Sequence, residues 1–537
     1  MKRADKSEDI FSEEARQDHA LLSAEQQENA RLREENAQLK KRLDWFNKQL
    51  FGQKSERRLA EANPHQPSLL GAATESAPVE GEKITITYQR GKAPKQRGED
   101  CVNDSGLRFG PDVPVQVIEQ TPPELIGPEA DQFEVIGTKT THRLAQQPAS
   151  YVVQEYRRPI LKRKGEDKPL PSPAPANVLE KSIADVSFLV GMLVDKFQYH
   201  LPLYRQHQRL TQAGVTLSRA TLTNLCRRSI ELLRPIAAAQ LLSILQSRVL
   251  AMDETPIKAG KSGKSSAGPG KMKQGYFWPL YGERDEVAFT FSASRGRAHI
   301  EKILKTDFTG TLLSDGYTAY ARFVEENTGI THAQCWVHSR RYFIDAEQQE
   351  PQAVRYALDH IARLYKIEEE IAKAGFTGDK KRSYRLAHSK PVVDQFFQWC
   401  QAQIQRTDLI PSDPLTRALG YVIQREQKLR VFQEDPDLPL DTNHLERALR
   451  PIPMGRKNWM FCWTELGAEH VGIIQSLITT CKLHDINPYT YLTDVLLRVG
   501  QHPAREVADL TPRMWKEKFA SNPLRSDIYR WGNDVLE

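Results

Sequence analysis

The sequence predicts an α/β protein with a ribonuclease-H-like core split by a helical insertion. In front of that core it places an N-terminal coiled coil, a small β-rich module and a helix-turn-helix. Three observations carry this. First, three strand-like runs, SRVLAMDETPI, GYFWPLYG and EVAFTFSASRGR, precede a fourth, GTLLSDGYTAYARF, and a fifth, THAQCWVHSRRYF. Second, Asp253 falls in the first run and Asp315 at the end of the fourth, where Gly316 permits a sharp turn. Third, a long helical region, about 345–435, separates these strands from a short helix that carries Glu446.

Length and composition bound the reading. A chain of 537 residues should hold several domains, the larger of them with real cores. A net charge of +6 is mildly basic and permits nucleic-acid binding. The six cysteines (Cys101, Cys226, Cys335, Cys400, Cys462 and Cys481) are all single, so neither a disulfide framework nor a zinc ribbon is encoded, and reduced thiols are expected. The charged N-terminus lacks an apolar signal segment, and no apolar run could span a bilayer. A cytoplasmic protein with no membrane partner is expected.

Residues 1–60 are read as a dimerisation helix. Leu22, Asn29, Asn36, Leu43 and Leu50 occupy one heptad position and Leu32, Leu39 and Phe46 the other, over residues 20–58. Sustained heptads need a partner, and asparagines in the seam fix its register; a homodimer or higher oligomer is expected. Residues 61–180 combine a linker, a β-rich module of alternating runs such as ITITYQ and SYVVQEYRRPILKRK, and an extended connector at Pro169, Pro171, Pro173 and Pro175. Residues 181–240 are helical. VSFLVGMLVDKF is expected to form an amphipathic helix. LYRQHQRLTQAG ends at Gly214, and a helix capped by Ser218 follows. This is the pattern of a helix-turn-helix, with Arg219, Thr221, Thr223, Asn224, Arg227 and Arg228 facing DNA; an ordinary helical hairpin fits the same residues.

Residues 241–345 and 436–480 make the two parts of the core, 346–435 the insertion and 481–537 a helical C-terminal region. Between the first two strands, 259–275 reads as a flexible basic hairpin loop; it contains Gly263-Lys264-Ser265 but lacks the earlier glycine of a phosphate-binding loop. In DTNHLERALRPIPMGRKNWMFCW, residues 441–463, Leu445, Ala448 and Leu449 form a buried stripe with Glu446 at its edge. Asp441 or Thr442 caps the helix, Pro451 and Pro453 stop it, a basic turn follows, and then an apolar strand-like run. Arg447 and Arg450 are expected beside Glu446. Asp253, Asp315 and Glu446 together supply three hard oxygen ligands, which suit Mg²⁺ or Mn²⁺. Glu254 stands as an alternative ligand to Asp253, or as a cap. Zinc is not expected: Cys335 and His338 form half a site without a second pair, and Cys335 and Trp336 are expected in the core. Arg340, Arg341, Arg447, Arg450, Arg456 and Lys457 are candidates for DNA phosphate contacts.

These residues resemble a known family. Phe51-Gly52-Gln53-Lys54-Ser55-Glu56, His200-Leu201-Pro202-Leu203-Tyr204-Arg205, Asp253-Glu254-Thr255 and Ser314-Asp315-Gly316-Tyr317 are similar to the transposases of the insertion-sequence 66 family, of the DDE class. So are Cys335-Trp336-Val337-His338-Ser339-Arg340-Arg341, Gly455-Arg456-Lys457-Asn458-Trp459, Asn487-Pro488, Tyr491-Leu492 and Leu510–Lys516. The resemblance implies Asp253, Asp315 and Glu446 as the catalytic triad and metal ligands, and cleavage and joining of double-stranded DNA at element ends, with other element-encoded proteins as possible partners. Two departures stand out. The family's cysteine pairs in the β-rich module are reduced to Cys101, and its Asp-Asn-Asn is Asp441-Thr442-Asn443. A catalytically silent regulator that binds the same ends is the alternative.

Overall fold

The computed structural model describes residues 107–529, apart from short breaks at 111–112, 127, 129, 148–149, 165–168, 171–175, 262–271, 305–307, 460–461 and 463. The heptad segment, the ITITYQ run, Cys101 and most of the basic hairpin loop lie outside the described residues. Almost all of the described chain belongs to one compact unit, Gln96–Ile344 with Tyr356–Glu537; Asp345–Arg355 belongs to a second.

The first strands form a small sheet. β1 (Val115–Glu119) runs parallel to β3 (Ser150–Arg163), which pairs antiparallel with β2 (Phe133–Gln147). Pro169-Leu170 of the expected connector pairs with β3 instead of standing free.

Three helices follow: α1 (Val186–Phe197), α2 (Leu203–Gln212) and α3 (Arg219–Ile244). Asp185 caps α1 by accepting from Ser187 N at 2.8 Å. The expected amphipathic α1 is instead buried on nearly every side, a pattern that marks a helix packed within a core. Gln475 Nε2 donates to the carbonyl of its last residue, Phe197, at 2.8 Å. Between α2 and α3, Gly214 takes a φ of +79°, which a side chain would resist. Ser218 then caps α3, its Oγ accepting from Thr221 N at 3.0 Å.

The main sheet has six strands: β4 (Val249–Met252), β5 (Thr255–Lys261), β6 (Met272–Gly282), β7 (Glu286–Ser292), β8 (Thr311–Ser314) and β9 (Thr331–Gln334). Their order is β7-β6-β4-β8-β9, with β5 paired to β6. The pairs of β6 with β7, β4 and β5 are antiparallel, and β4–β8 and β8–β9 are parallel. The fold is therefore mixed α/β. The run 247–257, expected as one strand, breaks at Asp253-Glu254 into β4 and β5.

One apolar core joins β4, β6 and β8 to α4 (Arg297–Leu304) and α5 (Thr318–Glu326), with Leu250, Trp278, Leu312, Tyr320 and Phe323 at its centre. The outer edge of β7 is covered by the helix Glu465–Leu483. Phe289 N donates to Ser476 Oγ at 2.8 Å and Val287 N to Thr480 Oγ1 at 3.2 Å. Backbone donors that would otherwise invite another strand are thus satisfied.

From β9 the chain enters α6 (Trp336–Asp345), and then the helices α7 (Pro351–Lys373), α8 (Gly378–Tyr384), α9 (Lys390–Ile404), α10 (Pro414–Ile423) and α11 (Glu426–Glu434). It returns through α12 (Asn443–Leu449), α13 (Pro451–Trp459) and α14 (Glu465–Leu483), and ends in further helices, including Pro488–Arg498 and Pro512–Lys518. The expected basic turn is corrected here: Arg456, Lys457 and Asn458 are helical. Pro451 stops α12 but also begins α13, because the first helical position needs no N–H donor and suits the fixed φ of proline. Of the strand-like run after it, Cys462 makes a single β-bridge with Ala259.

Candidate active site

The site is built where two parallel strands end side by side. Leu313 of β8 lies opposite Ala251 of β4. Two residues beyond this pair come Asp315 and Asp253, so both aspartates leave the sheet at the same end. Each is held by a nearby amide: Asp253 Oδ1 accepts from the next one, Glu254 N, at 2.7 Å, and Asp315 Oδ1 from Tyr317 N, two residues on, at 2.9 Å, the pattern of an Asx turn.

Glu446 arrives on α12, whose Leu445, Ala448 and Leu449 are buried as expected. The start of that helix is tied to the end of β9. Thr442 N and Oγ1 both donate to Cys335 Sγ at 3.3 Å, and Trp336 N donates to Leu440 O at 3.2 Å. Trp336 is buried, and its Nε1 donates to Leu429 O at 2.9 Å. Cys335 and Trp336 are core residues, as expected. Thr442 stands at the cap position without a side-chain cap bond, while Asp441 accepts from Asn443 N at 2.9 Å. The ion partner of Glu446 is Arg341, whose Nη2 lies 2.8 and 2.7 Å from the two carboxylate oxygens. Arg447 and Arg450, expected in that place, are exposed; the distal α6 supplies the cation instead of α12 itself. His338 Nε2 stands 3.9 Å from Glu446.

Electrostatics bind the three acids into one neighbourhood. Burial, and next the charge of Asp315, push Asp253 up to about 7; the hydrogen bond from the Glu254 amide works against this, and the charges of Glu254 and Glu446 add to it. Like charges gathered in a half-buried place make a site that a divalent cation would relieve, and the donor set of carboxylate oxygens fits one. The carboxylates are not closed around such an ion. Among the described residues, the group of three potential ligands whose ligand atoms all lie within 4.8 Å of one another is His502, Glu506 and Asp509.

Glu254, the alternative ligand, has another task. It is buried, and it accepts from Tyr320 Oη at 2.8 Å and from Arg295 Nε at 2.8 Å. Arg295 lies 4.1 Å over the ring of Tyr317. Arg295 and Tyr320 escaped the sequence reading, and Tyr317 entered it only as part of Ser314-Asp315-Gly316-Tyr317; the SRGR that follows β7 was the local signal for Arg295.

The basic candidates are spread. Arg340, Arg447, Arg450 and Lys457 are exposed, and Arg456 donates to the carbonyl of Pro256 at the start of β5. Arg219, Asn224 and Arg227 share an exposed face of α3 with Ala220 and Thr223, lining an open cleft of about 480 Å³. Arg227 Nη2 donates to Asn224 Oδ1 at 3.0 Å. Thr221 and Arg228 are half-buried.

Residues 181–470, more than half of the chain, match the family described as Transposase IS66 family. The chain belongs to that family. Residues 476–513 of this transposase-family chain match the IS66 C-terminal element, and residues 38–100 match Transposase C of IS166 homeodomain. Similar proteins come from Sinorhizobium fredii (strain NBRC 101917 / NGR234). Uncharacterized protein y4jD is 30% identical over 71% of this chain and 76% of its own length. Uncharacterized protein y4hP is 29% identical over 65% of this chain and 66% of its own length, so the chain spans about two thirds of that relative. Among solved structures, the Drosophila P element transposase strand transfer complex aligns over 57% of this chain and 93% of that one, at 10% identity and a TM-score of 0.33. The Mos1 transposase paired-end complex with left transposon end aligns over 51% and 83%, at 11% identity and a TM-score of 0.13. Likeness at these levels carries no argument. No helix among the described residues is long and apolar enough to cross a membrane.

Proposed function

We propose that this chain is a transposase that binds the ends of its insertion element and catalyses metal-dependent DNA strand cleavage and strand transfer. The reading rests on one observation: Asp253 and Asp315 leave adjacent parallel strands at the same end, and the charge of Glu446 reaches Asp253. An antiparallel hairpin followed by two parallel strands also supports a ribonuclease-H-like core, interrupted by the helices of 346–435. Asp253, Asp315 and Glu446 would hold Mg²⁺ or Mn²⁺. Bound there, such ions would supply the Lewis acidity that an in-line displacement by water or a 3′-hydroxyl needs.

The chain's own residues do the rest. Gly316 and the Asp315 turn keep the carboxylate at the strand end. Glu254 fixes Arg295 beside the acids, where its charge can neutralise a phosphate. Arg340, Arg341, Arg447, Arg450, Arg456 and Lys457 bind the DNA backbone without reading sequence. Arg219, Asn224 and Arg227 on α3 enter a groove as the second helix of a helix-turn-helix. Residues 20–58 dimerise the protein, so that two ends are handled together.

A second reading, a silent regulator that binds the same ends, is favoured by the pairing of Glu446 with Arg341. Incubating the DNA that flanks the gene with Mg²⁺ separates the two. The wild type should nick at the element ends, and Asp315→Asn should bind those ends without nicking. Binding by both proteins with nicking by neither supports the regulator, and cutting of DNA that lacks such ends indicates a general nuclease.

A further inference from the structure

Beside the acidic pocket lies an aromatic stack that the chemistry above does not use. The rings of Tyr342 and Tyr421 are stacked at 4.1 Å and 23°. The guanidinium of Arg425 lies 4.0 Å from the centroid of the same Tyr421 ring. Two groups this close cannot share one face, so Tyr421 is sandwiched between them. Tyr421 is half-buried and held in place, whereas Tyr342, at the outer end, is 40% exposed. A large aromatic ring that is stacked on one side and still 40% exposed has surface left for another flat group.

Its position relates it to the acids. His338, Arg341 and Tyr342 fall at i, i+3 and i+4 on α6, and therefore on one face of that helix. The first two approach Glu446. At the other end of the stack, Arg425 Nη2 donates to the carbonyl of Gly316 at 3.3 Å, and the charge of Asp315 acts on Tyr421. The stack therefore runs from the residue after Asp315 to the helical face that meets Glu446.

Every nucleobase has a π-face, and stacking on an aromatic side chain needs no particular sequence. Proteins that hold unpaired strands seat successive bases on aromatic side chains in this way. We propose that Tyr342, backed by Tyr421 and Arg425, is a binding site for one unpaired nucleobase of the DNA strand entering the acidic pocket. The inference rests on the DNA-processing reading above. Tyr342 is a positioning residue in this role: it holds the strand, and the acids do the chemistry.

The test measures binding of the full chain, without metal, to two fluorescently labelled probes. One is a blunt DNA duplex; the other is the same duplex with a short single-stranded overhang. The wild type should prefer the overhang by on the order of tenfold, within the range of one stacked base. Tyr342→Ala should bind both probes with the wild-type affinity for the blunt one, and Tyr342→Phe should keep the preference, because the ring and not the hydroxyl does the stacking. A wild type that binds both probes equally, or a Tyr342→Ala that still prefers the overhang, overturns the inference and leaves the DNA-binding reading standing. Failure of the wild type to bind either probe overturns both. Retained blunt-duplex binding by Tyr342→Ala shows that the variant is folded.

Discussion

Arg341 donates from a single nitrogen, Nη2, to both carboxylate oxygens of Glu446, at 2.8 and 2.7 Å. A guanidinium in that place competes with a metal ion for the same oxygens. The pair is partly open to solvent, so its worth is modest, about 1 kcal/mol or less. Arg341→Ala should therefore tighten Mn²⁺ binding by up to about fivefold, as read by titration calorimetry of the protein without DNA. Weaker binding in the variant would mean instead that Arg341 orients Glu446 for the metal.

Gly316 has no room for a side chain. A Cβ there would stand 2.5 Å from Tyr421 Oη and 2.9 Å from Arg425 Nε. The Tyr421–Arg425 stack and the Asp315 turn would have to part. Gly316→Ala should destabilise the fold by about 1–3 kcal/mol, the usual range for overpacking, and lower end nicking more than tenfold. In a denaturant double-mutant cycle, Gly316→Ala should cost much less in a Tyr421→Ala background than in the wild type, because the overlapping ring is gone.

Much of the candidate site's placement was legible because strand ends are legible. An apolar run that closes on Asp, or on Asp-Gly, marks both the strand and the acid that leaves it, and β4 and β8 lie next to each other as that reading requires. The helix of Glu446 was legible from the spacing of Leu445, Ala448 and Leu449. Its ion partner was not: local spacing favours Arg447 and Arg450, whereas Arg341 lies far away in the sequence and comes near through tertiary ties such as those of Cys335 with Thr442 and Trp336 with Leu440. The same limit hid Tyr421 and Arg425, which sit in the insertion and meet Gly316 by tertiary packing. Proline misled at residue 451, since its two local effects, ending one helix and starting another, look alike in sequence. For α1, a nearly unbroken apolar run signalled burial on all sides, and the amphipathic reading missed it.

His332 on β9 is buried opposite Leu312 of β8, its Nε2 2.9 Å from Ser314 Oγ. Burial, and then the charges of Lys428 and Arg425, bring its pKa down to about 3. In the unfolded chain the ring titrates near its ordinary value of 6.5. Between these values the unfolded state holds the extra proton. The stabilisation is thus complete above 6.5 and is lost as the pH falls toward 3. Urea titrations from neutral to mildly acid pH should show stability falling by about 1.4 kcal/mol per pH unit for this one proton, well below 6.5. His332→Gln should remove that part of the slope. A slope equal to that of the wild type would mean that the ring is already protonated in the folded protein.

The edge of the main sheet offers a test of what holds the C-terminal helices to the core. Gly472, Ser476 and Thr480 recur every four residues along α14, and so form one face against β7. The two hydroxyls accept from the edge strand, and the glycine lets the helix approach: a Cβ at 472 would lie 2.4 Å from the carbonyl oxygen of Phe289. That oxygen is backbone, and it cannot swing aside as a side-chain end could. Gly472→Ala must push the helix off the strand and stretch both hydrogen bonds. Gain in helix propensity for the alanine, about 1 kcal/mol, is smaller than the combined loss of packing and of two satisfied donors, about 1–3 kcal/mol for each orphaned group. The net result should be destabilisation by roughly 2–4 kcal/mol in denaturant titration. Hydrogen exchange should also quicken selectively at the Val287 and Phe289 amides, while Leu250 and Leu312 in the centre of the sheet stay protected. Uniform acceleration across the sheet would instead show that α14 and the core open together as one unit.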